Sequence, residues 1–369
     1  MSEILSTEIL VVGAGVVGLA IAAELSVKNQ VILVEQFPQF GRETSSRNSE
    51  VVHSGIYYPN DSLKTELCIE GRKLLYAYCD KNVVPYKKCG KYVVATSTEE
   101  ENYLENLLSH SEMLGVPVQR KTKTEIEKAE PKIQVASGLY FPESGILDSH
   151  VLMQKLENQI LKNGATVAYR HRVKHIQFQN EWETILDSSD GKIKIQSRKV
   201  INCAGLFAAE LSNQVLSTQK YEHRYCRGRY FSLAPKFQNA FQHLIYPVPP
   251  KDGLGVHVTL DQMGYARLGP DVDWCLNVPY SKVESLYDCD WETLKEPFLA
   301  SAKRYCPTLE PKDISPALIG IRPKLFIDGK ASPDFLIENH KGFIHCLGIE
   351  SPGLTASLAI AKQLEKLGD

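Results

Sequence analysis

A short apolar run, Ile9-Leu10-Val11-Val12, leads straight into Gly13-x-Gly15-x-x-Gly18. Such a run, mostly β-branched and stopped by glycine, reads as a buried strand. An apolar helical pattern follows through Leu25, and a second strand over 31–34 closes on Glu35. Strand, glycines, helix, strand and acid in that order leave few folds open. Gly13 permits the tight turn, Gly15 lets backbone approach a pyrophosphate, and Gly18 lets the helix settle on the sheet. The helix start at Val16 and Val17 offers unpaired N–H groups and a positive dipole end to phosphate. Glu35, seventeen residues after Gly18, is placed to accept hydrogen bonds from a ribose diol. The pattern predicts a Rossmann-type α/β unit with a dinucleotide site. Glu35 disfavours a 2′-phosphate but does not separate FAD from NAD. The plain alternative is a glycine-rich turn that binds nothing.

The 369 residues exceed one such unit and fit about two domains of roughly 150 residues. A net charge of −2 gives no sign of a nucleic-acid or acidic-membrane partner. The short basic clusters Lys87-Lys88 and Arg170-His171-Arg172 read as solvated faces. Nine cysteines, an odd number without paired spacing, favour free thiols in a reducing compartment over disulfides, and argue against a metal site. The longest uncharged apolar stretch, 9–23, is too short for a membrane span and carries three glycines. No secretory pattern opens the chain, and Glu3 and Glu8 with no preceding arginine argue against a mitochondrial presequence. The final residues carry no peroxisomal or ER-retention tripeptide. The expectation is an intracellular, cytoplasmic protein.

Periodicity predicts helices over 62–79, 98–114, 149–162, 290–305 and 354–367. Strands are predicted over 91–96, 165–171, 173–179, 182–187 and 199–205, with a turn at Asp190-Gly191. Between 225 and 269 short strands at 229–233, 244–247, 255–260 and 265–268 alternate with Pro/Gly breaks, as in an antiparallel sheet walling a pocket. A last strand over 342–347 enters Gly348-Ile-Glu-Ser-Pro-Gly353 and then a helix. That helix start, Gly353-Leu354-Thr355, is a second positive end for an electron-rich group. No linker divides the chain, so the domains are expected to interleave. One comprises 1–85, 145–215 and 320–369; the other comprises 86–144 and 216–319.

The segment 43–58, ETSSRNSEVVHSGIYY, brings hydroxyls, Asn48 and His53 to where a redox cofactor's rings would lie. Together with His53-Ser-Gly-Ile-Tyr-Tyr58, the stretches Cys89-Gly-Lys91, Gly145-Ile-Leu-Asp148, Asn202-Cys-Ala-Gly-Leu206, Arg227-Gly228 and Ile245-Tyr-Pro-Val-Pro249 form a specific set. So do Ser62-Leu-Lys-Thr-Glu-Leu-Cys68, Gly255-Val-His-Val-Thr259 and Leu268-Gly-Pro270. Over essentially its whole length the chain resembles the D-amino-acid-oxidase-like FAD-dependent oxidoreductases, and within them the L-2-hydroxyglutarate dehydrogenase group. The segment 348–355 departs, being more similar to bacterial-type relatives than to the animal enzymes. The resemblance implies noncovalent FAD, with adenosine near Glu35 and the isoalloxazine near 48–55. It implies that Thr44, Ser45 and Ser46 meet the pyrophosphate and ribityl region, that Val173 backbone meets adenine, and that Ala204 and Gly205 approach the diphosphate. Gly348 and Gly353, Leu354 and Thr355 would cover the pyrimidine end, and Arg322 would enter the substrate pocket.

Oxidising a 2-hydroxy acid needs a base for the hydroxyl proton, and histidine suits that task near neutral pH. His53 and His257 are the candidates, each with a hydrogen-bonded core histidine as its bland reading. The other eight histidines read as surface residues. Arg322 offers a planar fork for a substrate carboxylate. A five-carbon diacid needs a second cation or a hydroxyl cluster, for which Arg227, Arg229, Tyr246 and Tyr57 are candidates. Covalent attachment through His53 is a further possibility; attachment of the sarcosine-oxidase kind is disfavoured, because 324–327 lacks a cysteine. The predicted activity is oxidation of a small 2-hydroxy acid, L-2-hydroxyglutarate first, with electrons passing to a quinone, an electron-transfer protein or O2. The alternatives are an amine or amino-acid oxidase of the same fold and a non-catalytic flavin-binding assembly factor.

Overall fold

A computed structural model describes residues 4–189, 191–249 and 255–366. Asp190 of the expected turn, Leu367 at the expected helix end, Glu3 and the terminal tripeptide lie outside the described residues. The first strand, Ile4–Val12, is the centre of an eight-stranded sheet among these residues. It pairs in parallel with Val31–Glu35 on one side and Gly191–Asn202 on the other. Thr166–Tyr169 extends the sheet beyond Val31–Glu35, and Phe343–Leu347 joins Gly191–Asn202, both in parallel. Trp182–Ser188 and Arg172–Phe178 add an antiparallel flank.

The helix Val16–Leu25 is buried on nearly every side, which explains why its sequence shows almost no polar face. It packs between the helices Gly353–Lys366 and Ser149–Lys162. Leu19, Ile21, Leu33, Leu152, Leu156 and Ile360 form the core of this layer. Caps set the helix ends. Ser62 accepts from Thr65 N–H and starts Leu63–Asn82; Asp148 accepts from Val151 N–H and starts Ser149–Lys162.

The second layer is, among the described residues, a ten-stranded, mostly antiparallel sheet. Its backbone is Tyr221–Leu233 paired along its length with Ile314–Ile327. Short strands continue it through Ala266–Leu268, Val258–Leu260 and Leu244–Pro247 to Lys91–Ala95, which runs parallel to Leu244–Pro247. Phe231, Phe141, Leu244 and Phe298 anchor its core against the helix Trp291–Lys303. The interleaved α/β architecture expected from the sequence is present.

Three strands run longer than the sequence pattern suggested. Gly191–Asn202 exceeds the expected 199–205 at its start, and Tyr221–Leu233 exceeds 229–233. Both carry polar residues on their outward positions, and the apolar run alone marked the inner end. Ile314–Ile327 was not expected at all. It contains Pro316 and Pro323, which argue against a strand. Its outer edge is paired only at Phe326 and Ile327, and an open edge tolerates proline. A domain boundary at 320 falls inside this strand. His257 stands just before the strand Val258–Leu260 rather than in the middle of one.

Candidate active site

The glycine turn forms the floor of a cleft. Gly13 has φ +103°, and a Cβ there would lie 2.5 Å from the Cys203 carbonyl oxygen; at Gly18 it would lie 2.0 Å from the Gly13 carbonyl oxygen. Only glycine allows strand, turn and helix to meet this closely. About 700 Å³ of empty space, partly open to solvent, lies above this turn. Gly13, Gly15, Glu35, Thr44, Ser45, Val173, Ala204 and Gly205 line it. Ser45 Oγ accepts from Val16 N–H at 3.0 Å, fixing the hydroxyl at the helix start. Val17, one residue further along the helix, is not among the cleft-lining residues and packs on the apolar core.

Glu35 Oε2 accepts from Ala14 N–H at 2.8 Å, and Oε1 from Phe37 N–H at 2.9 Å. Burial pushes its carboxyl above the usual range, and the backbone N–H groups of Phe37 and Ala14 oppose that shift. Each oxygen keeps a second lone pair for a hydroxyl donor. Nothing lies within 4 Å of a Cβ built on Gly205, so this wall is open for a ligand. Acidic acceptor, helix start and glycine cradle together fit an adenosine diphosphate moiety. His171 and Arg172, expected as a solvated cluster, line the same cleft.

Beyond the cleft the chain turns through the 44–58 segment. Asn48 donates from Nδ2 to the Ser45 carbonyl at 2.8 Å and accepts from Glu50 N–H at 2.7 Å, so it shapes the turn. Thr44 Oγ1 donates to the Ile321 carbonyl at 3.1 Å, and Ser46 Oγ to the Glu43 carbonyl at 3.2 Å. His53 is pinned at three points. Its N–H donates to Thr355 Oγ1 at 3.1 Å, its carbonyl accepts from Cys68 Sγ at 3.6 Å, and its Nε2 lies 3.3 Å from Ser351 Oγ.

Ser351 belongs to the 348–353 loop, which a buried ion network holds. Glu350 Oε1 pairs with Lys64 at 3.1 Å and Lys324 at 2.6 Å, and Gly353 N–H donates to the Glu350 carbonyl. Leu354 packs on the core beside the first helix. Gly348 N–H donates to His223 Nε2 at 3.4 Å, so the His223 proton sits on Nδ1, facing the Leu206 carbonyl at 3.3 Å. His223 and His345 are buried rather than on the surface as expected. His345 fills a small polar niche, Nδ1 lying 2.8 Å from Ser212 Oγ.

One face of the ten-stranded sheet opposes His53. Tyr246 stacks on His257 with ring centroids 3.7 Å apart and planes 10° off parallel. Lys91 Nζ lies 5.0 Å from the Tyr246 ring and 4.6 Å from that of Tyr57. Burial, followed by the charges of Lys91 and then His257, pushes the His53 imidazolium down to about 3. The ring is therefore neutral near neutral pH, with its Nε2 turned toward Ser351. Burial also raises the Tyr57, Tyr58 and Tyr246 hydroxyls, which keeps them as donors. Tyr57 nevertheless retains 38% of its surface, so it lines a recess rather than a sealed core.

Arg322 projects from Ile314–Ile327 with Nη2 donating to the Arg227 and Asp271 carbonyls, each at 2.9 Å. Those bonds fix the guanidinium beside Tyr230, whose hydroxyl meets Ser49. Arg227 and Arg229 are committed elsewhere. Arg227 binds Asp273 at 2.6 Å and the Asp288 carbonyl at 2.9 Å; Arg229 binds Asp271 at 2.5 Å and Asp273 at 3.0 Å. Neither has a free fork for a substrate carboxylate, so the second-cation role suggested for them does not fit this structure. Charge counting along the sequence could not reveal that, because Asp273 meets Arg227 only across paired strands and Asp271 reaches Arg229 from the segment just before that pairing. Lys91, Tyr58, Tyr230 and Ser351 are site neighbours that sequence reasoning did not single out; a lysine opening an apolar strand was the available signal for the first.

All nine cysteines are free thiols. Among the described residues no cluster of three metal-ligating side chains occurs, and no helix is long and apolar enough to cross a membrane.

The chain is similar to L-2-hydroxyglutarate dehydrogenase, mitochondrial, of Arabidopsis thaliana, 35% identical over 96% of this chain and 82% of that protein. It is 26% identical to L-2-hydroxyglutarate dehydrogenase of Escherichia coli, over 97% of this chain and 92% of that one. Among solved structures it resembles dithionite-reduced L-alpha-glycerophosphate oxidase from Mycoplasma pneumoniae with FAD bound. The TM-score is 0.87 and the identity 26%, covering 98% of this chain and 94% of the other. Residues 8–367 match the DAO family, described as FAD dependent oxidoreductase, and with this cleft and recess the chain belongs to that family of FAD-dependent oxidoreductases.

Proposed function

We propose that this protein oxidises a small 2-hydroxy acid, L-2-hydroxyglutarate, to the 2-oxo acid. The observation that carries the reading is the meeting of the neutral His53 with His257, Lys91 and the tyrosines of one cluster beside the cofactor cleft. The names of the full-length relatives support the same substrate. When bound, FAD supplies the hydride-accepting chemistry at its N5. The chain's own part is binding, aiming and proton transfer. Arg322 holds a substrate carboxylate and so sets which face of Cα is presented. His53 Nε2 takes the hydroxyl proton, and Ser351 and Thr355 hold that histidine in place. His257, stacked on Tyr246, is the second base candidate. The tyrosine hydroxyls remain protonated and serve as donors to substrate oxygens.

Electrons then pass to a quinone, an electron-transfer protein or O2. Nine free thiols support a reducing, intracellular compartment. Anaerobic stopped-flow mixing of the holoenzyme with a panel of 2-hydroxy acids, amino acids and secondary amines tests the reading. Flavin bleaching is expected with L-2-hydroxyglutarate ahead of the rest. Faster bleaching by an amine overturns it in favour of an amine oxidase, and none with any panel member favours a non-catalytic role.

A further inference from the structure

The recess contains a cation without an acid. Lys91 opens the strand Lys91–Ala95 and is completely buried. Its Nζ has no hydrogen-bond partner. It sits among three rings, 4.6 Å from that of Tyr57, 5.0 Å from Tyr246 and 5.4 Å from Phe141. Aromatic faces attract an ammonium, but they accept none of its three N–H donors in the way a carboxylate does. A buried charge ordinarily comes with a partner. Lys64, equally enclosed, has Glu350, whereas among the described residues the charged or titratable neighbours of Lys91 are Cys68, Arg72, His53, Tyr57 and Tyr246, none a carboxylate. The site is built as though its acceptor arrives from outside.

We infer that Lys91 is the second cation of the substrate site, its ammonium taking one carboxylate of a dicarboxylic substrate while Arg322 takes the other. This rests on the 2-hydroxy-acid reading above and specifies what makes the substrate a diacid. Arg227 and Arg229 are spent on Asp271 and Asp273; among the described residues Arg72 beside His53 gives Nη1 to the Ser54 carbonyl, whereas Lys91 has none of its donors used. Tyr57, whose ring lies 4.6 Å from the ammonium, keeps 38% of its surface and is the part of this aromatic cage that reaches solvent. Charge neutralisation then reaches the base. The Lys91 charge holds down the proton affinity of His53, and an arriving carboxylate cancels that effect when the proton must be taken. Burial brings Lys91 itself down to about 7, and a bound carboxylate favours its charged form.

The test uses the holoenzyme of Lys91→Met, which keeps length and removes the charge. Calorimetric titration compares glutarate with butyrate, and flavin reduction by L-2-hydroxyglutarate is followed in parallel. Glutarate binding should weaken roughly ten- to a hundred-fold, the range for a hydrogen bond to a charged group, with butyrate little changed. Equal losses for both ligands, or no loss for glutarate, overturn the inference. Should Lys91→Met fail to retain FAD, the wild type decides. Its preference for glutarate over butyrate should decline as pH rises through about 7, where Lys91 loses its proton. The groups facing Lys91 are His53, Cys68, Arg72, Tyr57 and Tyr246, with His257 stacked on Tyr246; burial keeps His53 neutral, Cys68 is pushed up to about 12, and both tyrosines are raised, so these four do not titrate in that window. A preference independent of pH overturns the inference. A wild type that oxidises L-2-hydroxyglutarate but ignores Lys91→Met sinks only this inference; a wild type that takes no diacid at all sinks the function as well.

Discussion

In the proposed mechanism single side chains divide the work between holding the cofactor and moving the proton. Glu35 gives two backbone donors a partner and still has acceptor capacity facing the cleft. Glu35→Ala should therefore weaken FAD retention by about 1.5–3 kcal/mol, the value of a hydrogen bond to a charged acceptor. Fluorescence titration of the apoprotein with FAD measures it, and unchanged affinity removes Glu35 from the site. His53 is held by its backbone, so its ring can be deleted with little disturbance. His53→Ala should slow anaerobic flavin reduction roughly 10²–10⁴-fold while leaving substrate affinity nearly intact. A wild-type rate in that variant transfers the role to His257, and His257→Ala in the same instrument decides it. Sequence chemistry offered both histidines as candidates, but could not tell which arginines were free. Arg227 looked available until its Asp273 partner was seen across the paired strand.

At the level of elements, the 348–353 loop shows how distant strands build one wall. Glu350 connects Lys64 of the helix Leu63–Asn82 with Lys324 of the strand Ile314–Ile327. Glu350 and Lys64 each keep only 7% of their side-chain surface. Removing one partner of so buried a pair leaves an uncompensated charge, so Glu350→Ala should cost about 3–5 kcal/mol of stability in denaturant unfolding. It should also loosen Ser351 beside His53, which flavin reduction kinetics would register as a slower rate. Stability equal to wild type would mean that the loop holds its shape without the ion network. The strand–glycine–helix logic of this region was legible in the sequence, as was the helix Gly353–Lys366. The ion network was not, because its members lie in three elements far apart along the chain.

For the whole molecule, buried neutral histidines tie acid sensitivity to cofactor retention. His223 and His345 are pushed down to about 4 and His53 to about 3, with burial the leading cause in each. Unfolded, each would bind a proton near its ordinary value of 6.5. The unfolded state thus binds more protons between about 6.5 and those lowered values, and stability falls as pH drops through that window. Thermal melts from pH 7 to 4.5 should show a steady loss, and a flat profile counts against neutral burial. Protonating His223 also removes the acceptor for Gly348 N–H, so acid should release FAD from a chain that holds it noncovalently. Yellow colour left on acid-precipitated protein would point instead to attachment through His53. The sequence by itself determined the Rossmann-type start and its dinucleotide cleft, since strand, glycines, helix and acid lie within a few turns of one another. Only the tertiary structure decided which cations are spent and which remain, where the long polar-edged strands run, and that Lys91 faces His53. Those outcomes depend on pairings between residues far apart along the chain, and local patterning carries no record of them.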